Sequence, residues 1–214
     1  METSTVNLPH YATWILLGFM SGSVPWAVIV GKIFRTKDVR KVGDGNPGAV
    51  NAWKSGGYVP GILSVTLEIC KSLVPIYLAK QHLDGFASGW AQIGFAMVAF
   101  APILGHAWSP FLRFHGGKAL ATTWGSWIGI TGGVAFPIGL LLLGLMHIVQ
   151  KNHAITVTVC LSGFLIIFMP FVRETGVLLF WLLNMGVVVY KHRYEYSTGV
   201  EFRGWIVRMV GTNA

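Results

Sequence analysis

Long runs without formal charge dominate this chain, and they leave few folds open. Tyr11–Phe34 carries Lys32 as its one charged residue, and the runs 132–149, 155–172 and 175–190 carry no Asp, Glu, Lys or Arg. Inside a bilayer no water serves the backbone, so each N–H and C=O must be paired within the protein. A helix meets that demand by itself, and roughly 20 mostly apolar residues carry it across the hydrocarbon core. The runs predict helical spans near 11–34, 58–79, 88–107, 118–131, 133–150, 155–172 and 175–191. Composition agrees: 11% of residues are charged and 53% hydrophobic, whereas a soluble domain carries about 25% charged residues. The expected fold is an all-α polytopic membrane protein, with residues 1–214 forming one domain of about seven transmembrane helices. No basic stretch precedes the first run, so no cleavable leader is expected.

Seven crossings would put the termini on opposite sides. Lys32, Arg35, Lys37, Arg40, Lys41, Lys54, Arg113, Lys118, Lys151, Lys191, Arg193, Arg203 and Arg208 would then share one side. Only Lys80 and Arg173 fall on the other, and Lys71 lies within a span. Cytoplasmic loops carry the excess of Lys and Arg, so the C-terminus is expected in the cytoplasm and the N-terminus outside. The net charge of +8 is thereby explained by topology, and no nucleic-acid partner is expected. Cys70 and Cys160 both fall in apolar runs and read as buried thiols, not as a disulfide framework or a zinc site.

Four polar clusters interrupt the apolar pattern. The first, KVGDGNPGAVNAWKSGG (residues 41–57), has glycine at 43, 45, 48, 56 and 57. Glycine lets backbone approach a ligand closely. Asn46 as N-cap with Pro47 behind it predicts a short interfacial helix over 47–55, stopped by Gly56-Gly57. Its N-terminus would suit an anion; a flexible basic loop is the plainer alternative. The second runs from Gly105-His106 to Gly116-Gly117-Lys118. A glycine pair at a helix start can form a backbone nest for phosphate oxygens, or simply a turn with an anchoring lysine. The third, Glu68 and Lys71 within a span, reads first as a mutually neutralising pair. The fourth is Lys191-His192-Arg193-Tyr194-Glu195 at the end of the last span, where basic residues are usual anchors. His192 is the residue there with a side chain suited to proton transfer near neutrality. The fourth span, 118–131, is short and holds Thr122, Thr123 and Ser126, which suits either a site-lining helix or a tilted hairpin arm.

In order along the chain stand Gly22-Ser23-Val24-Pro25, Asp38-Val39-Arg40, Gly43-Asp44-Gly45-Asn46-Pro47-Gly48-Ala49-Val50-Asn51, Gly105-His106, Pro110-Phe111, Phe114, Gly116-Gly117-Lys118, Ala121-Thr122, His192-Arg193 and Gly199-Val200-Glu201. This series resembles the acyl-phosphate-dependent glycerol-3-phosphate acyltransferases of bacterial membranes. The resemblance runs over nearly the whole chain and is most specific at Gly105–Thr122. It implies seven spans, a site at the cytoplasmic face of the cell membrane, and transfer of a fatty acyl group from acyl phosphate to glycerol 3-phosphate. It implies no metal, no cofactor and no acyl-CoA. The chain departs from the family pattern with Asp44 for a serine, Lys54 for an arginine, Glu68-x-x-Lys71-Ser72 for D-x-x-K-G, and Glu195 for an asparagine. Taken with the clusters, the candidate catalytic residues are Lys118, His192 and Asp44. The candidate substrate-binding residues are Ser23, Arg40, Gly45, Asn46, Gly48, Asn51, Lys54, Lys71, His106, Gly116, Gly117, Thr122, Arg193, Glu195 and Glu201.

The chemistry needs no nucleophilic triad. An acyl phosphate is already activated, so cations and amide donors for phosphate and a place for a hydroxyl suffice. The base is left open among a substrate phosphate, His192 and Asp44. No histidine is followed by Asp at the spacing of His-x-x-x-x-Asp, and H-E-x-x-H is absent, which excludes those two chemistries. A related transferase with another acceptor and a transporter are the competing readings. A transporter threads ionisable groups through the bilayer midplane, and here they are nearly confined to Glu68 and Lys71. A monomer is the expected state.

Overall fold

The computed structural model of the chain describes residues 8–83, 89–168 and 175–210. Within them lie α1 (Leu8–Ser23), α2 (Trp26–Ile33), α3 (Ala49–Gly56), α4 (Tyr58–His82), α5 (Trp90–Ala107), α6 (Leu120–Thr131), α7 (Ala135–Val149), α8 (His153–Phe168), α9 (Thr175–His192) and α10 (Gly204–Val210). The one β-bridge among the described residues joins Gln150 to Phe202. The protein is a helical membrane protein. Among the described residues four segments are long and apolar enough to cross a bilayer: Leu8–Ile33, Tyr58–His82, Trp90–Leu112 and Thr175–His192. α7 and α8 are apolar but shorter, and α6 has 12 residues. The expected spans thus find helices in the same order. Residues 169–172 and Arg173 lie outside the described residues.

Prolines shape the long helices, and neighbouring side chains repair what they break. Pro25 has no N–H and its ring opposes helix continuation, so the first expected span is two helices, α1 and α2, with a break at Val24-Pro25. The Val24 carbonyl accepts from Lys71 Nζ at 3.0 Å. Ala27 N donates to Glu68 Oε1 at 3.2 Å. Pro75 inside α4 cannot donate to the carbonyl four residues back, and that carbonyl, on Lys71, accepts from Ser21 Oγ at 2.7 Å. The Glu68–Lys71 pair, 2.5 Å apart and 1% exposed on both sides, therefore holds the α1–α2 break against α4.

Small residues bring the helices close, as in membranes generally. A Cβ on Gly22 of α1 would collide with the backbone of Pro102 in α5, and one on Gly125 of α6 with Ile69 O and Ser72 Oγ of α4. Ser72 Oγ also donates to Thr122 O across that seam at 2.7 Å. Trp127 is fully buried among Phe164, Phe168 and Phe180. Its indole N–H reaches Asn184 Oδ1 at 3.2 Å, and Asn184 Nδ2 donates to Thr123 Oγ1 at 2.8 Å. The indole, a polar group inside an apolar core, is thus paired.

Candidate active site

The connections 34–57, 108–119, 150–152 and 193–203 meet at one end of the bundle, tied by hydrogen bonds between residues distant in sequence. Lys118 lies at their junction. Its Nζ donates to Asp44 Oδ2 at 2.5 Å and to Glu195 Oε1, residues 74 and 77 positions away. Its backbone N–H donates to Asn46 Oδ1 at 3.2 Å. Partial burial pushes the Asp44 carboxyl up, but Lys118, the Asn46 N–H and the Asn51 amide outweigh it and hold the group at about 2. Partial burial lowers Lys118 in turn, and the two carboxylates reverse that and raise it above its ordinary range. Asp44 and Lys118 therefore form an ion pair near neutrality.

Asn46 serves this junction, and that alters the local helix. The expected N-cap is Asn46, with a helix over 47–55; the structure has Gly48 as N-cap and α3 over Ala49–Gly56. Asn46 Oδ1 is turned to Lys118 N instead of to its own helix, and its carbonyl takes Gly48 N at 2.8 Å. Gly43 and Gly45 adopt positive φ, +60° and +74°. At Gly43 a side chain would press on Asn51 Oδ1 and on Lys54 Nζ, so this turn needs glycine and places Lys54 beside it. Asn51 is buried and its Nδ2 binds Asp44 Oδ1 at 2.8 Å and Asn46 O at 2.9 Å.

The glycine pair before Lys118 is packed onto the end of α5. Gly117 N donates to His106 O at 3.2 Å, and any Cβ on Gly116 would strike that same carbonyl. Gly116 O accepts from Lys191 Nζ at 3.4 Å, and Lys191 lies over the Trp108 ring. His192 completes the group. It is 1% exposed and feels the charges of Glu195, Lys118 and Asp44. Its Nδ1 stands 2.8 Å from Val188 O. A carbonyl only accepts, so Nδ1 carries the hydrogen and Nε2 the lone pair. Nε2 is buried and has no hydrogen-bond partner among the described residues, the arrangement a proton acceptor needs.

The other candidates are placed elsewhere. Lys71 and His106 belong to the buried group under the α1–α2 break: His106 Nδ1 is 2.7 Å from Lys71 Nζ and 3.0 Å from Glu68 Oε2. His106 Nε2 nonetheless faces Gly117, so this group abuts the glycine pair. Ser23 donates to Phe19 O and its carbonyl accepts from Ser109, which packs it against α5. Arg40 is held bidentate by Asp38, at 3.0 and 2.8 Å, beside a cavity of about 190 Å³ shared with Lys32 and Lys37. Arg193 stacks on Tyr190 and Tyr194. Glu201 contributes backbone, its N–H to Gln150 Oε1 and its carbonyl to Lys151 N. Thr122 is fully buried in the α4–α6 seam.

Four residues of the junction are not among the site candidates read from the sequence. Lys191 reads there as an anchor. Asn152, His153 and His147 flank a connection with no motif, yet Asn152 Nδ2 binds Glu195 O, Thr198 Oγ1 and Gly199 O at 2.7–2.9 Å. The His153 ring stands 5.8 Å from that of His192 and 6.1 Å from that of His147. The signal available was Lys151-Asn152-His153 breaking two apolar runs. Among the described residues no group of His, Cys, Asp or Glu is arranged to hold a metal ion.

The pattern that defines the glycerol-3-phosphate acyltransferase family matches residues 12–200. The chain is 34% identical over 203 residues to glycerol-3-phosphate acyltransferase 1 of Thermotoga maritima, covering 87% of this chain and 97% of that one. It is 37% identical over 164 residues to the glycerol-3-phosphate acyltransferase of Staphylococcus carnosus, covering 72% and 78%. Its fold is that of PlsY (YgiH), an integral membrane glycerol 3-phosphate acyltransferase whose crystal structure is in the glycerol 3-phosphate form. The TM-score is 0.77 and the identity 22%, over 93% of this chain and 98% of that one. The lysophosphatidic acid form of the same protein gives 0.76.

Proposed function

The chain belongs to the glycerol-3-phosphate acyltransferase family, and we propose that it transfers a fatty acyl group from an acyl phosphate to the 1-hydroxyl of glycerol 3-phosphate. The acceptor oxygen forms a new bond to the acyl carbon, the bond from that carbon to the phosphate oxygen breaks, and the hydroxyl proton leaves on the phosphate. Ester and hydrogen phosphate are the products, and no proton is left over. His192 Nε2 takes the proton as the hydroxyl attacks and returns it to the departing phosphate. Lys118, with Lys54 and Lys191 near it, offsets the phosphate charge. Asp44, whose carboxyl is held at about 2 by its partners, is a poor proton acceptor beside a buried imidazole nitrogen.

The observation that carries this reading is the junction itself: Lys118 fixed between distant chain segments, within electrostatic range of a buried His192 whose Nε2 has no partner among the described residues. Seven crossings, with the N-terminus outside and this end of the bundle in the cytoplasm, fit the distribution of Lys and Arg. The protein acts as a monomer in the cell membrane, with the acyl chain entering from the bilayer between helices. Purified protein in lipid should form lysophosphatidic acid from palmitoyl phosphate and glycerol 3-phosphate, and none from palmitoyl-CoA. Product from the CoA thioester, or none from the phosphate, would refute the proposal.

A further inference from the structure

Lys118 is occupied by the protein's own side chains. Two carboxylates hold its one ammonium, so the cluster carries a surplus negative charge at the point where the proposed reaction needs a free cation. Neither carboxylate is a casual surface contact. Asp44 has its second oxygen fixed by Asn46 N at 3.2 Å and by the Nδ2 of buried Asn51 at 2.8 Å. Glu195 has its backbone carbonyl fixed by the Nδ2 of buried Asn152 at 2.8 Å and by Thr198 Oγ1 at 3.1 Å. In each case a separate anchor sets the residue, and a carboxylate oxygen is left to Lys118.

We infer that Asp44 and Glu195 form a displaceable anionic plug on Lys118, so that substrate binding is an exchange of carboxylate for phosphate. The plug makes the site selective for charge. A phosphate monoester, mostly doubly charged near neutrality, displaces a carboxylate; a singly charged carboxylate gains nothing by replacing another. The plug therefore protects Lys118 from fatty acids and other monoanions, and costs affinity for the true substrate. A carboxylate left beside a bound phosphate is repelled by it, so at least one arm must swing away. Glu195, on the short 3-10 turn Glu195–Thr198 after α9, has the freer side chain, because both hydrogen bonds that fix it act on its backbone.

The inference rests on the proposed reaction, and its test separates the two. The reaction would be measured for wild type, Glu195→Gln, Asp44→Ser and the double variant, with both substrates titrated and glycerate added as a singly charged competitor of similar size to the acceptor. The KM for one phosphate substrate should fall about 2- to 5-fold per carboxylate removed, as expected for partly exposed pairs, and further in the double variant. Whether the KM of glycerol 3-phosphate or of acyl phosphate falls identifies which phosphate Lys118 holds; either supports the exchange. Glycerate should inhibit wild type weakly and the variants more strongly. Unchanged or raised KM for both substrates overturns the plug, and so does the pattern of a purely structural pair, a lower thermal midpoint with a higher KM. Glycerate that stays equally weak in all four proteins overturns the charge selection. If one variant fails to fold, the other carries the test. Inactive wild-type protein contradicts the proposed function instead.

Discussion

At the scale of single residues, the account turns on which groups are held and which are left open. His192 has one nitrogen tied to Val188 and the other buried without a partner among the described residues. A positioned base contributes about 10²–10⁴-fold to rate, so a folded His192→Ala protein should have kcat lowered by that factor; turnover within a few-fold of wild type would remove its role as base. Asp44 gives a pH signature. Its folded pKa of about 2 lies below the ordinary 3.8, so the stability it contributes is present above about pH 4 and is lost as pH falls toward 2. The gap in thermal midpoint between wild type and Asp44→Asn should therefore close over that window, and a gap independent of pH would contradict the ion cluster. Its size is modest, because the carboxylate is 48% exposed and such pairs contribute about 1 kcal/mol at most. Lys118, the Gly116-Gly117 pair and His192 were legible in the sequence, because each sits in a distinctive local pattern. What Asp44, Arg40 and Asn152 do was not. Arg40 turns to its near neighbour Asp38, and Asn152 reaches Glu195 43 positions on, choices that only the folded chain makes.

At the scale of elements, hydrophobic runs located the helices well, because the requirement for internal backbone pairing acts on each run separately. They could not show that the first span breaks at Pro25, nor what pairs the groups freed there. The Glu68–Lys71 pair does this, and removing one partner of a buried pair leaves an uncompensated charge, a loss of about 3–5 kcal/mol. Glu68→Ala should accordingly lower the thermal midpoint sharply or abolish the fold; a stable, fully active variant would show that the pair does not brace the break. Helix contact gives a second comparison. Gly22→Leu must force α1 away from Pro102, whereas Gly144 on α7 has open space around it. Thermal denaturation in detergent should show Gly22→Leu strongly destabilised and Gly144→Leu close to wild type, and equal midpoints would contradict the packing of α1 on α5.

At the scale of the whole molecule, four segments among the described residues have the length and apolarity to cross a membrane, and α6 and α7 are shorter. The proposed seven crossings require α6 and α7 to be accommodated by local thinning of the bilayer or by burial against their neighbours. In a chain with Cys70 and Cys160 replaced by serine, a single cysteine at exposed Glu201 should react with a membrane-impermeant maleimide only from the cytoplasmic side; labelling from outside intact cells would reverse the orientation. The placement of Lys118, Asp44, Glu195 and His192 at one end of the bundle is the property of the molecule that the central claim uses. Release of inorganic phosphate from palmitoyl phosphate, measured with and without glycerol 3-phosphate for wild type and Lys118→Ala in lipid, tests that claim most directly. The account predicts release by wild type that depends on the acceptor and matches lysophosphatidic acid formed, with none above background for a folded Lys118→Ala protein. Acceptor-dependent release that persists at near-normal rate in Lys118→Ala would contradict it.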